Sequence, residues 1–328
     1  MKTLNLHQKG KTVAWLALCT SLLIVTLTGL AQTPKPRRIN RAIELLEQGQ
    51  PIYYTGSHSG TAGTFEQGKL DAQTYADYIS YDMEAAPYDV AGLAAYMQGL
   101  AAGGPTRTGH RTPAVIVNVA VRGTDEATVR ANSWMFEQVL ATGVHGILLC
   151  HATTAGAVRA FVEAVRYPNR EQGVGREGLQ EGRRGAHGAS TASKVWGISS
   201  EEYLIKADVW PLNPNGEILL GVKIEDKFAY ANVNEIVKIP GLGFGEGGPG
   251  DMALSFGFKQ GDPRAKVVQD KIFAAAKAQR LYWLGIGGQK GPNFESEVAQ
   301  AIKEGHMVGS GEETAAVGRK ITKRPLPY

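Results

Sequence analysis

Two apolar, strand-like runs that each stop at a carboxylate, one helix apart, constrain this chain most. The first, residues 218–224, ends in Glu225-Asp226. A helix-like segment from about 229 to 237 follows, and Pro240-Gly241 closes it. A second short strand is expected at 242–244, after which a glycine-rich turn delivers Asp251. In a βαβ unit both acids lie at one edge of a parallel sheet, the edge where α/β barrels carry their chemistry. Carboxylate oxygens left partly unsaturated suit a hard divalent cation such as Mg²⁺ or Mn²⁺. Gly247, Gly248 and Gly250 lack a Cβ, so the amides around Asp251 can approach an anion closely. The combination suggests a metal holding a small carboxylate; the plainer alternative is two helix-capping or solvated acids.

The rest of the chain alternates in the same way. Strand-like runs are expected at 51–55, Tyr78–Asp82, 114–121, Gly146–Cys150 and 281–286, and helices at 39–48, 129–141 and 155–166. Such βα alternation argues for a parallel sheet, closed or doubly wound. The 328 residues suffice for one large barrel, and the formal charge of +4 falls to +1 without Lys2, Lys9 and Lys11, so no nucleic-acid footprint is present.

Those three lysines precede an uncharged run from Thr12 to Thr33 and a small-x-small pattern, Gly29-Leu30-Ala31. The stretch 1–31 reads as a signal peptide and implies a periplasmic or secreted protein, the alternative being an uncleaved membrane anchor. Residues 32–38 form a proline-rich basic linker, 39–322 the main domain and 323–328 a tail. Without the leader one cysteine remains, Cys150, so neither an intrachain disulfide nor a thiol- or zinc-based site is expected.

The wording Ile224-Glu225-Asp226, followed by Pro240-Gly241-Leu242-Gly243-Phe244-Gly245-Glu246-Gly247-Gly248-Pro249-Gly250-Asp251-Met252, resembles the HpcH/HpaI aldolase and citrate lyase family. The resemblance runs from about Pro51 to Lys320 and includes Arg166-Tyr167-Pro168 with Arg183-Arg184-Gly185. It implies a (β/α)8 TIM barrel of the phosphoenolpyruvate/pyruvate type and a carbon–carbon lyase working through a pyruvate-like enolate. Glu225 and Asp251 would then hold Mg²⁺ or Mn²⁺, with Co²⁺ an alternative. Gly250 and Asp251 would orient the carboxylate of a 2-keto acid, and Arg122 would stabilise the enolate. A homo-oligomer, trimer or hexamer, is implied as well.

Asp82-Met83-Glu84 matches the family's DxEH motif except that the histidine of the acid/base machinery is Ala85. An acid usual near Ala141 and a proline usual at Cys150 are also absent. Asp82 and Glu84 remain as carboxylates at a strand end, and His58 or His151 could supply the missing imidazole. These departures leave open a divergent decarboxylase, hydratase or isomerase, or an exported keto-acid-binding protein without lyase activity. The glycine-rich polar loop 169–182 reads as a mobile lid.

Overall fold

The parity of side chains along the strands decides what this fold can do, because in a closed parallel barrel every second residue points inward. The computed structural model describes residues 38–56, 63–168, 177–259 and 261–328. The leader, most of the linker, His58 and the first part of the expected lid lie outside these residues.

The described strands are β1 (Ile52–Gly56), β2 (Tyr78–Asp82), β3 (Ala114–Arg122), β4 (Gly146–Cys150), β5 (Val209–Trp210), β6 (Ile218–Lys223), β7 (Phe244–Glu246), β8 (Tyr282–Ile286) and β9 (Val308–Ser310). They pair in the order β4-β3-β2-β1-β9-β8-β7-β6-β5, and β4 also pairs with β6. That last pairing closes eight parallel strands into a barrel, with the two-residue β5 attached to β6. The fold is a (β/α)8 TIM barrel.

Helix α1 (Arg41–Glu47) seals the barrel floor. Asn40 caps it by accepting from the amides of Ala42 and Ile43, and donates to the carbonyls of His145 and Glu217. Ile43, Leu45 and Leu46 then pack in one cluster with the inward residues Ile52, Tyr78, Ile116, Leu148, Leu219 and Phe244. Each such aliphatic side chain contributes roughly 1.5–3 kcal/mol by leaving water. The outward residues of the same strands, such as Val115, Val117, Ile147, Leu220 and Val222, form the larger cluster under the helices.

A buried ionic clasp also ties the C-terminal segment to the barrel. Arg324 donates to both oxygens of Asp77, at 2.7 and 2.8 Å, and Arg319 donates to the same carboxylate at 3.0 Å. Arg324 falls within the stretch expected to be a tail, yet it is buried.

Three segments depart from expectation, one of them the helix expected at 129–141, which is two helices, Glu126–Ala131 and Ser133–Ala141, parted at Asn132. β7 begins at Phe244 instead of residue 242, because Gly241 adopts a left-handed φ of 92° and in-register pairing with β6 starts at Gly221 and Phe244. The helix expected at 229–237 is two short ones, α2 (Lys227–Ala231) and α3 (Val233–Ile236), parted at Asn232.

Candidate active site

Inward parity carried to the C-terminal ends of β2, β6 and β7 puts Asp82 with Glu84, Lys223 with Glu225, and Glu246 at one mouth. Lys223 and Glu246 face each other in register across β6 and β7. His151 follows β4 directly and has a left-handed φ of 48°, a backbone state that a residue with a Cβ seldom adopts and that often marks a functional position.

The imidazole is held from both sides. Its Nε2 lies 3.3 Å from Glu84 Oε1, and its Nδ1 lies 3.4 Å from Glu225 Oε1 and 3.9 Å from Asp226 Oδ2. The backbone N–H of His151 donates to Glu225 Oε1 at 3.2 Å. Glu84 passes its other oxygen, Oε2, to the buried ammonium of Lys223, which also lies 3.9 Å from Glu246.

These contacts set the ionisation of the group. Burial would raise the Glu84 carboxyl, but the hydrogen bonds from His151 and Lys223 outweigh it and bring the pKa down to about 2. The hydrogen bond to Glu84 raises His151, against the effect of burial. Burial disfavours the Lys223 charge, yet Cys150, Glu246 and Glu84 around it hold its pKa above the ordinary lysine range. Burial pushes Glu246 up to about 7, with Lys223 opposing. Burial also raises Glu225, opposed by Lys223 and His151.

Glu225 and Asp251 meet over Gly248. A Cβ at Gly248 would fall 2.5 Å from Glu225 Oε2 and 3.2 Å from Asp251 Oδ2, so only glycine leaves both carboxylates where they are. Asp251 sits in the first turn of α4 (Pro249–Phe256), exposed, with no side-chain cap on that helix. The donor set suits a divalent cation. Glu225 Oε2 and Asp251 Oδ2 are hard oxygens that both lie beside Gly248, and Glu84, His151 and Glu225, a set without Asp251, offer ligand atoms within 4.8 Å of one another.

Other expected site residues fall elsewhere. Asp82 is buried and accepts the amides of Glu84 at 2.8 Å and Ala85 at 3.3 Å, so it shapes the turn that presents Glu84. Arg122, expected at the reacting centre above a buried strand, is exposed at the rim. The pairing of β3 with β4 shifts register between Asn118 and Arg122, and beyond the shift Arg122 pairs with Cys150, the residue before His151. The charge of Arg122 is felt at His151, whose pKa it lowers. Arg166 and Arg184 pack within the structure, Arg166 on Asp208 at 2.7 Å and Arg184 against Tyr167 and Tyr203.

Lys223 and Glu246 were not singled out by the sequence reading. Lys223 lay inside an apolar run and Glu246 among glycines; the available signal was the spacing of two between Lys223 and Glu225, which puts both on one strand face.

No protein-family model matches the sequence. A hydroxypyruvate/pyruvate aldolase of Sagittula stellata is 27% identical over 222 residues, which is 67% of this chain and 73% of that protein. A hydroxypyruvate/pyruvate aldolase of Deinococcus radiodurans is 29% identical over 181 residues, an alignment spanning 52% of that relative. The crystal structure of an HpcH/HpaI aldolase/citrate lyase family protein from Burkholderia cenocepacia superposes with a TM-score of 0.62 at 19% identity, covering 87% of this chain and 97% of that one. This barrel and these aldolase relatives are what the chain is similar to, in line with the resemblance of its motifs to the HpcH/HpaI aldolase/citrate lyase family.

Proposed function

We propose that this protein is a divalent-metal-dependent carbon–carbon lyase that acts on a 2-keto acid through its enolate. The observation that carries this reading is His151, an imidazole held between Glu84 and Glu225 at the barrel mouth. It answers the loss of the family histidine at Ala85 by bringing an imidazole in from β4.

Glu225 and Asp251 would hold Mg²⁺ or Mn²⁺ through Oε2 and Oδ2, the two oxygens that face each other over Gly248. When bound, such an ion supplies Lewis-acid polarisation of the substrate carbonyl. The amides of Gly250 and Asp251 orient the substrate carboxylate. His151 takes the proton from the carbon next to the carbonyl, and Glu84, bonded to Nε2, holds the ring in place as its charge changes. In the cleavage direction the same imidazole would take the proton of the substrate's C4 hydroxyl as the C3–C4 bond breaks to an aldehyde and the enolate, and would then give that proton to C3.

The test is exchange of pyruvate methyl protons for deuterium, followed by NMR. Exchange should require the metal and stop on adding EDTA. His151→Gln should lose roughly 10²–10⁴-fold in rate while still binding Mn²⁺. His58→Ala should exchange at the wild-type rate. Absence of exchange in wild type with metal bound, across several 2-keto acids, would favour the second reading, an exported keto-acid-binding protein, to which Ala85 and Ala141 point.

Export and assembly belong to the same proposal. The basic start, apolar run and Gly29-Leu30-Ala31 pattern support a mature chain that begins near Gln32 outside the cytoplasm, as a homo-oligomer. N-terminal sequencing from the native host and light scattering check these two points, and an intact Met1 on cytosolic protein would sink the first.

A further inference from the structure

The floor of the barrel, at the end away from His151, carries more guanidinium than its own acids serve. Asp77 stands just before β2, and its carboxylate accepts twice from Arg324, once from Arg319 and once from the Tyr53 amide at 2.9 Å. Four donors fill the acceptor sites of a carboxylate, which leaves nothing for a third guanidinium. Arg41, the first residue of α1, is that third one, its side chain 13% exposed. Its Nη1 lies 3.7 Å from Glu44 Oε1, too far for a hydrogen bond, and Glu44 turns its other oxygen to His110 Nε2 at 2.8 Å. The Nε of Arg41 is buried and meets no acceptor among the described residues. Burial lowers the Arg41 pKa, Asp77 and Glu44 oppose that, and the charges of Arg324 and Arg319 add to it. A buried charged donor without an acceptor is destabilising, and native structures ordinarily answer it.

Arg41 borders a small hollow together with Asp77, Thr106, Arg107, Thr108 and Thr112. The hollow holds about 20 Å³, room for one body of roughly the size of a water and too little for a tetrahedral oxyanion. We propose that it is a binding site for a single chloride ion, held by the Arg41 guanidinium and the threonine hydroxyls, with Arg107 at the rim. Charge favours an anion there over water: Arg319 and Arg324 outnumber the one carboxylate they share, and Arg107 adds a further positive charge. Chloride asks for donors in no fixed geometry, which hydroxyls and a guanidinium supply. Arg41, Thr106 and Thr112 come together only in the folded chain, so the ion binds that state alone and stabilises it by mass action. The site lies apart from the proposed lyase chemistry, and its test needs no turnover.

Two measurements decide, each on wild type, Arg41→Gln and Arg41→Lys. The first is the line width of chloride in NMR titrations. The second is thermal unfolding over a series of sodium chloride concentrations, with sodium gluconate holding the ionic strength constant. Wild type should broaden the chloride line, and its Tm should rise saturably by roughly 2–4 °C as chloride replaces gluconate. Arg41→Gln should lose at least about tenfold in chloride affinity, the loss expected for one charged hydrogen bond, and its Tm should stay flat. If Arg41→Gln does not fold, Arg41→Lys decides: it keeps the charge, lacks the Nε donor, and should bind chloride about threefold or more weakly. A sharp chloride line and a flat Tm in wild type would overturn the proposal. So would wild-type affinity in a folded Arg41 variant, or saturable stabilisation by sulfate with none by chloride.

Discussion

His151 addresses one oxygen of Glu225 twice, its backbone N–H at 3.2 Å and its ring Nδ1 at 3.4 Å from Oε1. The other oxygen, Oε2, is left to face Asp251 over Gly248. One carboxylate thereby joins the imidazole to the position proposed for a cation.

Glu225→Gln and Asp251→Asn should each weaken Mn²⁺ binding by at least about tenfold, since each removes one of two charged oxygens. Gly248→Ala should do the same without touching either acid, because its Cβ would lie 2.5 Å from Glu225 Oε2 and displace it. Calorimetric titration with Mn²⁺ reads all three. Unchanged affinity in both acid variants would reduce Glu225 and Asp251 to structural carboxylates.

A separate histidine predicts a pH effect on stability. His145 is buried, accepts the Val115 amide on Nδ1 at 3.2 Å and stacks on Trp196. Burial, then the nearby charge of His110, pushes its pKa down to about 3. Its folded value lies below the unfolded one of about 6.5, so the unfolded chain takes up a proton first as the pH falls. The stabilisation is complete above about pH 6.5 and is lost towards acid at about 1.4 kcal/mol per pH unit. Urea unfolding at pH 6.5 and 5 should show wild type losing about 2 kcal/mol more than His145→Gln. Parallel pH profiles for the two proteins would refute this.

The clasp at Asp77 should matter for folding and not for chemistry. Asp77→Asn leaves Arg319 and Arg324 buried with their shared countercharge gone, a loss of roughly 3–5 kcal/mol in unfolding free energy. Chemical denaturation measures it. A change below about 1 kcal/mol, the level of an exposed ion pair, would mean that the clasp is solvated.

Periodicity carried much of the fold. Tyr78–Asp82 and Gly146–Cys150 were legible residue for residue, because a short apolar run between turn signals admits few other readings. β7 was harder: in Leu242-Gly243-Phe244-Gly245-Glu246 no hydrophobic pattern marks the start of pairing, and the left-handed Gly241 sets it. In the site, Glu225, Asp251, Glu84 and His151 could be named from strand ends. The partners of His151 could not, since its amide reaches an oxygen 74 residues away, a separation closed only by the barrel. Arg122 keeps the inner-face parity that alternation assigns it, paired with Cys150 beyond the register shift in β3, and its side chain is exposed at the mouth. Lys223 was hidden by its apolar neighbours, although its distance of two from Glu225 held the information.

The helix under the barrel has a consequence for traffic. With Ile43, Leu45 and Leu46 packed against the inward residues of the strands, one end of the barrel is filled with side chains, and Glu84, His151, Lys223, Glu225 and Glu246 gather at the other. On the proposed function, a keto acid and the solvent hydrons that exchange with it would reach His151 from that same end.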